Sequence, residues 1–155
     1  PSRYVLVEEG QVRLCLPSGS QVDFESFEAL AQKGEMDAAL KLYPGEPFPK
    51  DRYHEWASWK REQLIQLSLR MLLANAAQSL VDGQAGEALA ACRRVLAEEP
   101  WHEQAVLLGM RACLKLDDRP SALRLYLDLE RCLRQEFDIP PMPELRALYQ
   151  SLMTA

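Results

Sequence analysis

The feature that most constrains this chain is a short motif that recurs within it. An alanine followed by a leucine begins the runs Ala88–Cys92 and Ala122–Tyr126, whose starts are 34 residues apart. A related run, Ala39–Tyr43, begins 49 residues before the first of these. A fixed period of this length indicates a repeated pair of helices. Such an array builds a continuous core by stacking each helical pair on the next, and small alanines allow paired helices to approach closely.

The period and one proline favour repeats of the tetratricopeptide type, whose length is about 34 residues. Pro100 stands twelve residues after Ala88, where the tetratricopeptide pattern also has a proline. The usual tryptophan and glycine at the head of each repeat are absent. A closed helical bundle would bury its alanines in the same way and is the alternative. The pattern favours an all-α, tetratricopeptide-like antiparallel helical solenoid.

Hydrophobic periodicity and helix-ending residues predict about seven helices after a short N-terminal β-hairpin. Apolar residues alternate over residues 3–16, with Glu9-Gly10 as the turn, which predicts the hairpin. We expect residues 1–20 to form the hairpin and its connection, residues 21–155 to form the helical domain, and the whole chain to be a single compact unit. The predicted helices are Asp23–Gln32, Met36–Tyr43, Tyr53–Val81, Gln84–Glu98, Trp101–Leu116, Arg119–Glu136 and Glu144–Met153.

The long helix predicted over residues 53–81 is apolar on two sides, so it must be covered on two sides. The segment before it, residues 44–49, contains three prolines and cannot be helical, because proline lacks a backbone donor and has a fixed φ. Trp56 and Trp59 lie three residues apart beside this segment. We expect the two tryptophans to anchor it.

Charge and hydropathy exclude two kinds of partner. The net charge is −5, whereas binding to DNA draws on an excess of lysine and arginine. We therefore expect no direct contact with nucleic acid. The longest unbroken apolar stretch, Ala105–Met110, is too short to cross a bilayer, and no secretion signal opens the chain. We expect a cytoplasmic location without membrane contact, and the initial Pro1 indicates excision from a longer polypeptide.

No motif in the sequence points to catalysis or to a bound cofactor. Phosphate-binding loops, dinucleotide-binding glycine motifs and the His-Glu-x-x-His zinc motif are all absent. The four cysteines are too far apart in sequence to form a paired-ligand metal motif, so we expect reduced and mostly buried thiols. We predict that the chain is not an enzyme and has no catalytic, cofactor-binding or metal-binding residues. The cysteines are Cys15, Cys92, Cys113 and Cys132.

The repeat pattern also predicts a binding surface, because the first helix of each tetratricopeptide pair lines the concave face. Two arginines on this face would suit an acidic or phosphorylated ligand. Alternatively, the arginines are solvated and the leucines are buried by the last helix, which we favour for the leucines. The carboxylate clamp of some tetratricopeptide proteins needs lysine and asparagine where this chain has leucine and alanine, so no such clamp is expected. The candidate residues are Arg70, Leu73, Ala77, Gln104, Leu107 and Arg111.

Five stretches in this order resemble the bacterial transcriptional activator domain, the tetratricopeptide-like module of Streptomyces antibiotic regulatory proteins and maltose-regulator-like activators. The resemblance covers about residues 3–153. It implies a module that does not touch DNA and that mediates self-association, regulatory contacts with neighbouring domains or effector sensing. The family's usual glycine before the third repeat helix is replaced here by Asp117-Asp118, and the family supplies no fixed ligand residues. The stretches are Val22–Leu30, Ala38–Phe48, Glu55–Leu64, Glu87–Ala105 and Ala122–Leu152.

Taken with this resemblance, the sequence predicts a protein-interaction and effector-sensing module for signal transduction in a transcription activator. Its expected partners are proteins, either a second copy or neighbouring domains of the parent activator, with a small-molecule effector as a second kind of ligand. The alternative is a general tetratricopeptide adaptor that binds a peptide or protein outside transcription. A winged-helix or NTPase domain in the parent reading frame would favour the first interpretation, and a stand-alone gene would favour the second.

Overall fold

A computed structural model of the chain describes residues 5–8, 11–14, 23–42 and 55–154. Contacts divide the chain into two compact units, Pro1–Glu46 and Pro47–Ala155, and each is described by itself. The division after Glu46 differs from the expectation of one unit with a boundary after residue 20. The intervening proline-rich segment, residues 44–49, lies outside the described residues, as does the predicted packing of Trp56 on it.

The N-terminal unit contains two strands and two helices in its described part. Strand β1 (Val5–Glu8) pairs antiparallel with β2 (Gln11–Leu14), within the range predicted as a hairpin. The predicted turn at Glu9-Gly10 lies outside the described residues. Helices α1 (Asp23–Lys33) and α2 (Met36–Leu42) pack against each other and bury Phe27 and Ala39. Gly34 between them has a φ of 76°, which glycine adopts without steric cost.

Over its described residues, 55–154, the C-terminal unit is an array of five helices, each packed against the next. The first helix also packs directly against the third, as expected where one helical pair stacks on another. Two helical pairs and a final single helix therefore follow the predicted order, and the all-α helical solenoid is confirmed. The helices are α3 (Glu55–Val81), α4 (Ala85–Glu98), α5 (Glu103–Lys115), α6 (Arg119–Glu136) and α7 (Pro143–Thr154).

The repeated alanines occupy the positions that the motif predicts. Ala39, Ala88 and Ala122 all have no exposed surface, so each allows a neighbouring helix to approach. Buried apolar side chains lie on both covered sides of α3, although Ala74, which shares an apolar stripe of the sequence with Leu64, Leu67 and Met71, is exposed. The largest fully buried side chains of the C-terminal unit are Leu64, Val95, Val106, Leu107, Met110, Leu129 and Leu145.

Helix α3 is the one helix in the described part of the chain that is long and apolar enough to cross a membrane. Its stretch Ser58–Val81 passes this test by length and composition alone. In the fold, α3 packs against α4 and α5 and buries Leu64, Leu69 and Leu72. Burial in the repeat core therefore accounts for its apolar character.

Two short connections show how polar residues begin the helices of the second pair. Asp117 has a φ of 57° and so occupies the left-handed conformation that favours the glycine usual in the family. Asp118 then caps α6, because its Oδ1 accepts from the Ser121 N–H at 3.1 Å. His102 caps α5 in the same way through Nδ1 and the Ala105 N–H at 3.4 Å.

Polar side chains join helices that are distant in sequence at a nearly constant separation. Five such hydrogen bonds among the described residues link positions 33 to 39 apart. Lys115 Nζ donates to the Leu80 carbonyl at the end of α3, and Arg119 donates to the Leu152 carbonyl near the end of α7. These cations satisfy carbonyls that the last turn of a helix leaves without partners.

Candidate functional site

The predicted binding surface lies on two helices, α3 and α5, that run in the same direction and pack directly together. The bond from Lys115 to the Leu80 carbonyl joins their carboxyl ends. The side chains that α3 and α5 expose to solvent therefore lie on adjacent helices. The exposed members are Arg70 and Ala77 on α3 and Gln104 and Arg111 on α5, while Leu73 is half-buried.

Leu107 does not belong to an accessible surface. Its side chain is 2% exposed and lies in the core of the unit. The repeat pattern, in which Leu107 has the position equivalent to Leu73, correctly placed Leu107 in α5. The helices that pack against α5 cover this position. Leu107 therefore stabilises the fold and is not available to a ligand, in line with the burial favoured for the leucines.

Arg111 already has a partner within the chain. Its Nη2 lies 2.6 Å from Oε1 of Glu144 at the start of α7. The Glu103 carboxylate, also on α5, accepts from the Met142 N–H just before α7. Sequence reasoning missed Glu144, because no periodic signal places α7 beside α5. Of the two arginines predicted on this surface, Arg70 has no ion-pair or hydrogen-bond partner among the described residues.

We expect the ion pair between Arg111 and Glu144 to contribute little to stability. Both side chains are about half exposed, so water and salt weaken their attraction. A double-mutant cycle with Arg111→Gln and Glu144→Gln should give a coupling of about 0.2–1 kcal/mol by denaturant unfolding. The exposed pair Arg131–Asp128, at 3.4 Å, is a matched control. A coupling above about 2 kcal/mol would place the Arg111 pair among buried ones and contradict this interpretation.

The described residues contain no group of three or more histidine, cysteine, aspartate or glutamate side chains that could hold a metal ion. Cys92 and Cys113 are free and fully buried, Cys132 is half-buried, and Cys15 lies outside the described residues. Burial raises the pKa of the Cys92 thiol to about 11 and also raises the pKa of Cys113. The thiolate is the nucleophilic form, so neither group is an activated nucleophile.

Thiol labelling at pH 8 should separate these cysteines. We expect Cys132 to react with a disulfide reagent in the native state, and Cys92 and Cys113 to react only after unfolding in guanidinium. Because the pKa of Cys92 is higher in the folded state, its contribution to stability is complete below pH 9 and is lost as the pH rises towards 11. Mass spectrometry of labelled peptides would identify the sites. Native labelling of Cys92 as fast as Cys132 would contradict the burial.

Comparison with known proteins agrees with this architecture. The family model of the bacterial transcriptional activator domain matches residues 22–153. Among solved structures, that of Mycobacterium tuberculosis EmbR in complex with a low affinity phosphopeptide is similar over 97% of this chain, with a TM-score of 0.73 and 21% sequence identity. At that identity the similarity shows the fold. A search of curated protein sequences gives no match.

The structural similarity covers a different fraction of each of the two proteins. This chain corresponds to 43% of the EmbR chain, so it spans less than half of that protein. The phosphopeptide is a ligand of the EmbR complex. The family model covers most of the present chain and includes all seven described helices apart from the last residue of α7. The chain therefore belongs to the bacterial transcriptional activator domain family.

Proposed function

We propose that this chain is the regulatory module of a bacterial transcription activator, that it receives a protein partner or a small-molecule effector in the cytoplasm, and that it does not itself bind DNA. The partner is a second copy of the chain or a neighbouring domain of the parent activator. The family supports the setting in transcription, and the charge and surface of the helical array support the role within it.

The observation that carries the proposal is the pairing of Arg111 with Glu144. It neutralises one of the two arginines predicted on the surface formed by α3 and α5 and leaves Arg70 beside Leu73 and Ala77. DNA binding requires a track of unpaired cations along a phosphate backbone. A single arginine within a partly apolar surface is instead typical of the centre of a protein interface.

The mechanism we propose is a shift in how the last helix packs. Helix α7 contacts α5 through the exposed pair Arg111–Glu144, and it contacts α6 through Tyr149, which stacks on Tyr126 with ring centroids 4.2 Å apart. A ligand that favours one arrangement of α7 would change the surface offered to a neighbouring domain. The size of the response is set by the difference in affinity between the two arrangements.

Transcription of a reporter controlled by the full-length activator tests the role of Arg70. A hot-spot arginine contributes about 2 kcal/mol or more, so Arg70→Glu should lower partner affinity and reporter output by about tenfold or more. Arg131→Glu, on the exposed side of α6, is the matched control and should leave output nearly unchanged. Protein abundance and melting temperature are measured for both variants. Equal output from both, at equal abundance, would contradict a partner at this surface.

Fluorescence anisotropy with duplex DNA tests the second part of the proposal. We expect no sequence-specific binding by the chain, even at low salt, where phosphate contacts are strongest. A specific complex whose affinity falls steeply between about 50 and 200 mM salt would overturn it. If the parent polypeptide contains no DNA-binding or NTPase domain, the adaptor function outside transcription replaces this proposal.

A further inference from the structure

A cavity of about 370 Å³ lies between the last turns of α6 and the start of α7, outside the surface formed by α3 and α5. Arg134 of α6 and Arg146 of α7 line it from two sides. The connection between the helices supplies Asp138 and an apolar wall of Ile139, Pro140 and Pro141. This volume falls within the range of about 300–1,000 Å³ that small-molecule sites occupy.

The side chains of the two arginines of this cavity have no partner among the residues that the structure describes. By contrast, Arg119 and Arg131 of α6 each have a hydrogen-bond or ion-pair partner. Within the described part of the chain, the side chains of Arg134 and Arg146 have no hydrogen-bond or ion-pair partner, and both are exposed. Two guanidinium groups on opposite helices are therefore free to bind one anionic group between them. Arginine binds carboxylates through two parallel N–H donors, which makes it well suited to this task.

The two acidic residues that line the cavity, Glu130 and Asp138, have different surroundings. Glu130 lies one turn after Tyr126 on α6, where burial of Tyr126 first and the Glu130 carboxylate second raise the pKa of the tyrosine hydroxyl. Asp138 lies in the connection with a φ of 53° and no hydrogen-bond or ion-pair partner among the described residues. Its carboxylate is therefore free to bind a cation at the mouth of the cavity.

The wall that carries Asp138 is held in place by its surroundings. The Phe137 N–H donates to the Leu133 carbonyl at 3.1 Å, and the Phe137 ring packs edge-on against Trp101 with centroids 5.9 Å apart. Pro140 and Pro141 follow, and proline has a fixed φ. A site formed before its ligand arrives loses less conformational entropy on binding.

We propose that this cavity binds a small zwitterion of the α-amino-acid class with an apolar side chain. Arg134 and Arg146 bind its carboxylate, Asp138 binds its ammonium group, and Ile139 with the two prolines contacts its side chain. Such a ligand would pair with the two arginines and with the aspartate of the lining. A simple anion would pair only with the arginines and would leave Asp138 without a partner. Because the ligand bridges α6 and α7, it would favour one arrangement of α7, so this inference rests on the proposed effector role.

Titration of the isotope-labelled chain by NMR, with three matched probes, tests the ligand class. L-leucine carries both charges, 4-methylpentanoate lacks the ammonium group, and isopentylamine lacks the carboxylate. We expect saturable shifts from L-leucine at amides of residues 134–146, and binding of each analogue that is weaker by about tenfold or more, because each leaves a charged group without its partner. Equal binding of 4-methylpentanoate, or no saturable shift from L-leucine at tens of millimolar, would overturn the proposal.

Substitutions then place the ligand within the cavity. Arg146→Gln and Asp138→Asn should each weaken L-leucine binding by about tenfold, since each removes one charged hydrogen-bond partner. Arg131→Gln, on α6 and outside the lining of the cavity, should leave affinity unchanged, and melting temperatures confirm that all variants are folded. Unchanged affinity in Arg146→Gln would assign the shifts to another place and overturn the site. The reporter test of Arg70 is independent, so the failure of this site and the failure of the proposed function are distinguishable.

Discussion

Leu107→Ala should destabilise the chain by about 2–5 kcal/mol, the range for a leucine truncated in a closed core. Leu107 is 2% exposed and lies at the middle of α5, which packs against α3, α4 and α6. Truncation leaves a cavity that three surrounding helices cannot fill. At about 2–4 °C for each kcal/mol, the melting temperature should fall by roughly 5–20 °C. Circular dichroism during thermal or urea unfolding measures both quantities.

Leu127→Ala is the matched control for this prediction. Leu127 on α6 is 43% exposed, so the same truncation removes less buried surface and should cost under about 1 kcal/mol. A Leu107→Ala chain that melts with the control would contradict the burial of α5. That result would indicate that Leu107 lies on the accessible surface where the repeat alignment predicted it.

Gly109→Leu should destabilise the chain by about 3 kcal/mol or more, through overpacking. A Cβ at Gly109 would lie 3.2 Å from Leu125 Cδ1 and 3.6 Å from Cys92 Cβ. A leucine adds three further carbon atoms where α4, α5 and α6 meet. The helices must move apart to accept them, which we expect to lower the urea midpoint and to expose Cys92 to labelling.

For Gly86→Ala, which also replaces a glycine, we expect the opposite effect, an increase in stability. A Cβ at Gly86 would meet nothing within 4 Å, and Gly86 lies in the first turn of α4. Replacement of a helical glycine by alanine stabilises by about 0.5–1 kcal/mol, so the urea midpoint should rise. A Gly109→Leu chain as stable as the Gly86→Ala chain would show that the helices of the second pair are loosely packed.

The sequence predicted the helices well because their signals are local. The order of α1 to α7 follows from apolar periodicity and from prolines and glycines at helix ends, and the predicted boundaries lie within two residues of the observed ones. The burial of Ala88 and Ala122 follows from the repeat itself, since the same small residue recurs at each close approach. The cap of α6 by Asp118 was not predicted, although an aspartate just before a helix is a local signal for one.

The candidate sites were harder to predict because they depend on how separate helices meet. Arg70 and Arg111 were both predicted on the concave face, yet among the described residues only Arg111 has an acidic partner, supplied by a helix 33 residues further along the chain. The same limit applies to Arg134 and Arg146. Nothing in their local sequence indicates that they line one cavity, because α6 and α7 define it together.

The nearly constant separation of 33 to 39 residues between hydrogen-bonded side chains has a consequence for how such a chain can change in length. Four of these five bonds, all except the one from Gln66 to Glu99 within the first pair, join a residue to the helical pair or single helix that follows. A whole pair inserted or removed would present equivalent partners again, whereas a few residues added inside a pair would displace all of them. Members of this architecture should therefore differ in length by complete helical pairs, with shorter insertions confined to the turns between helices.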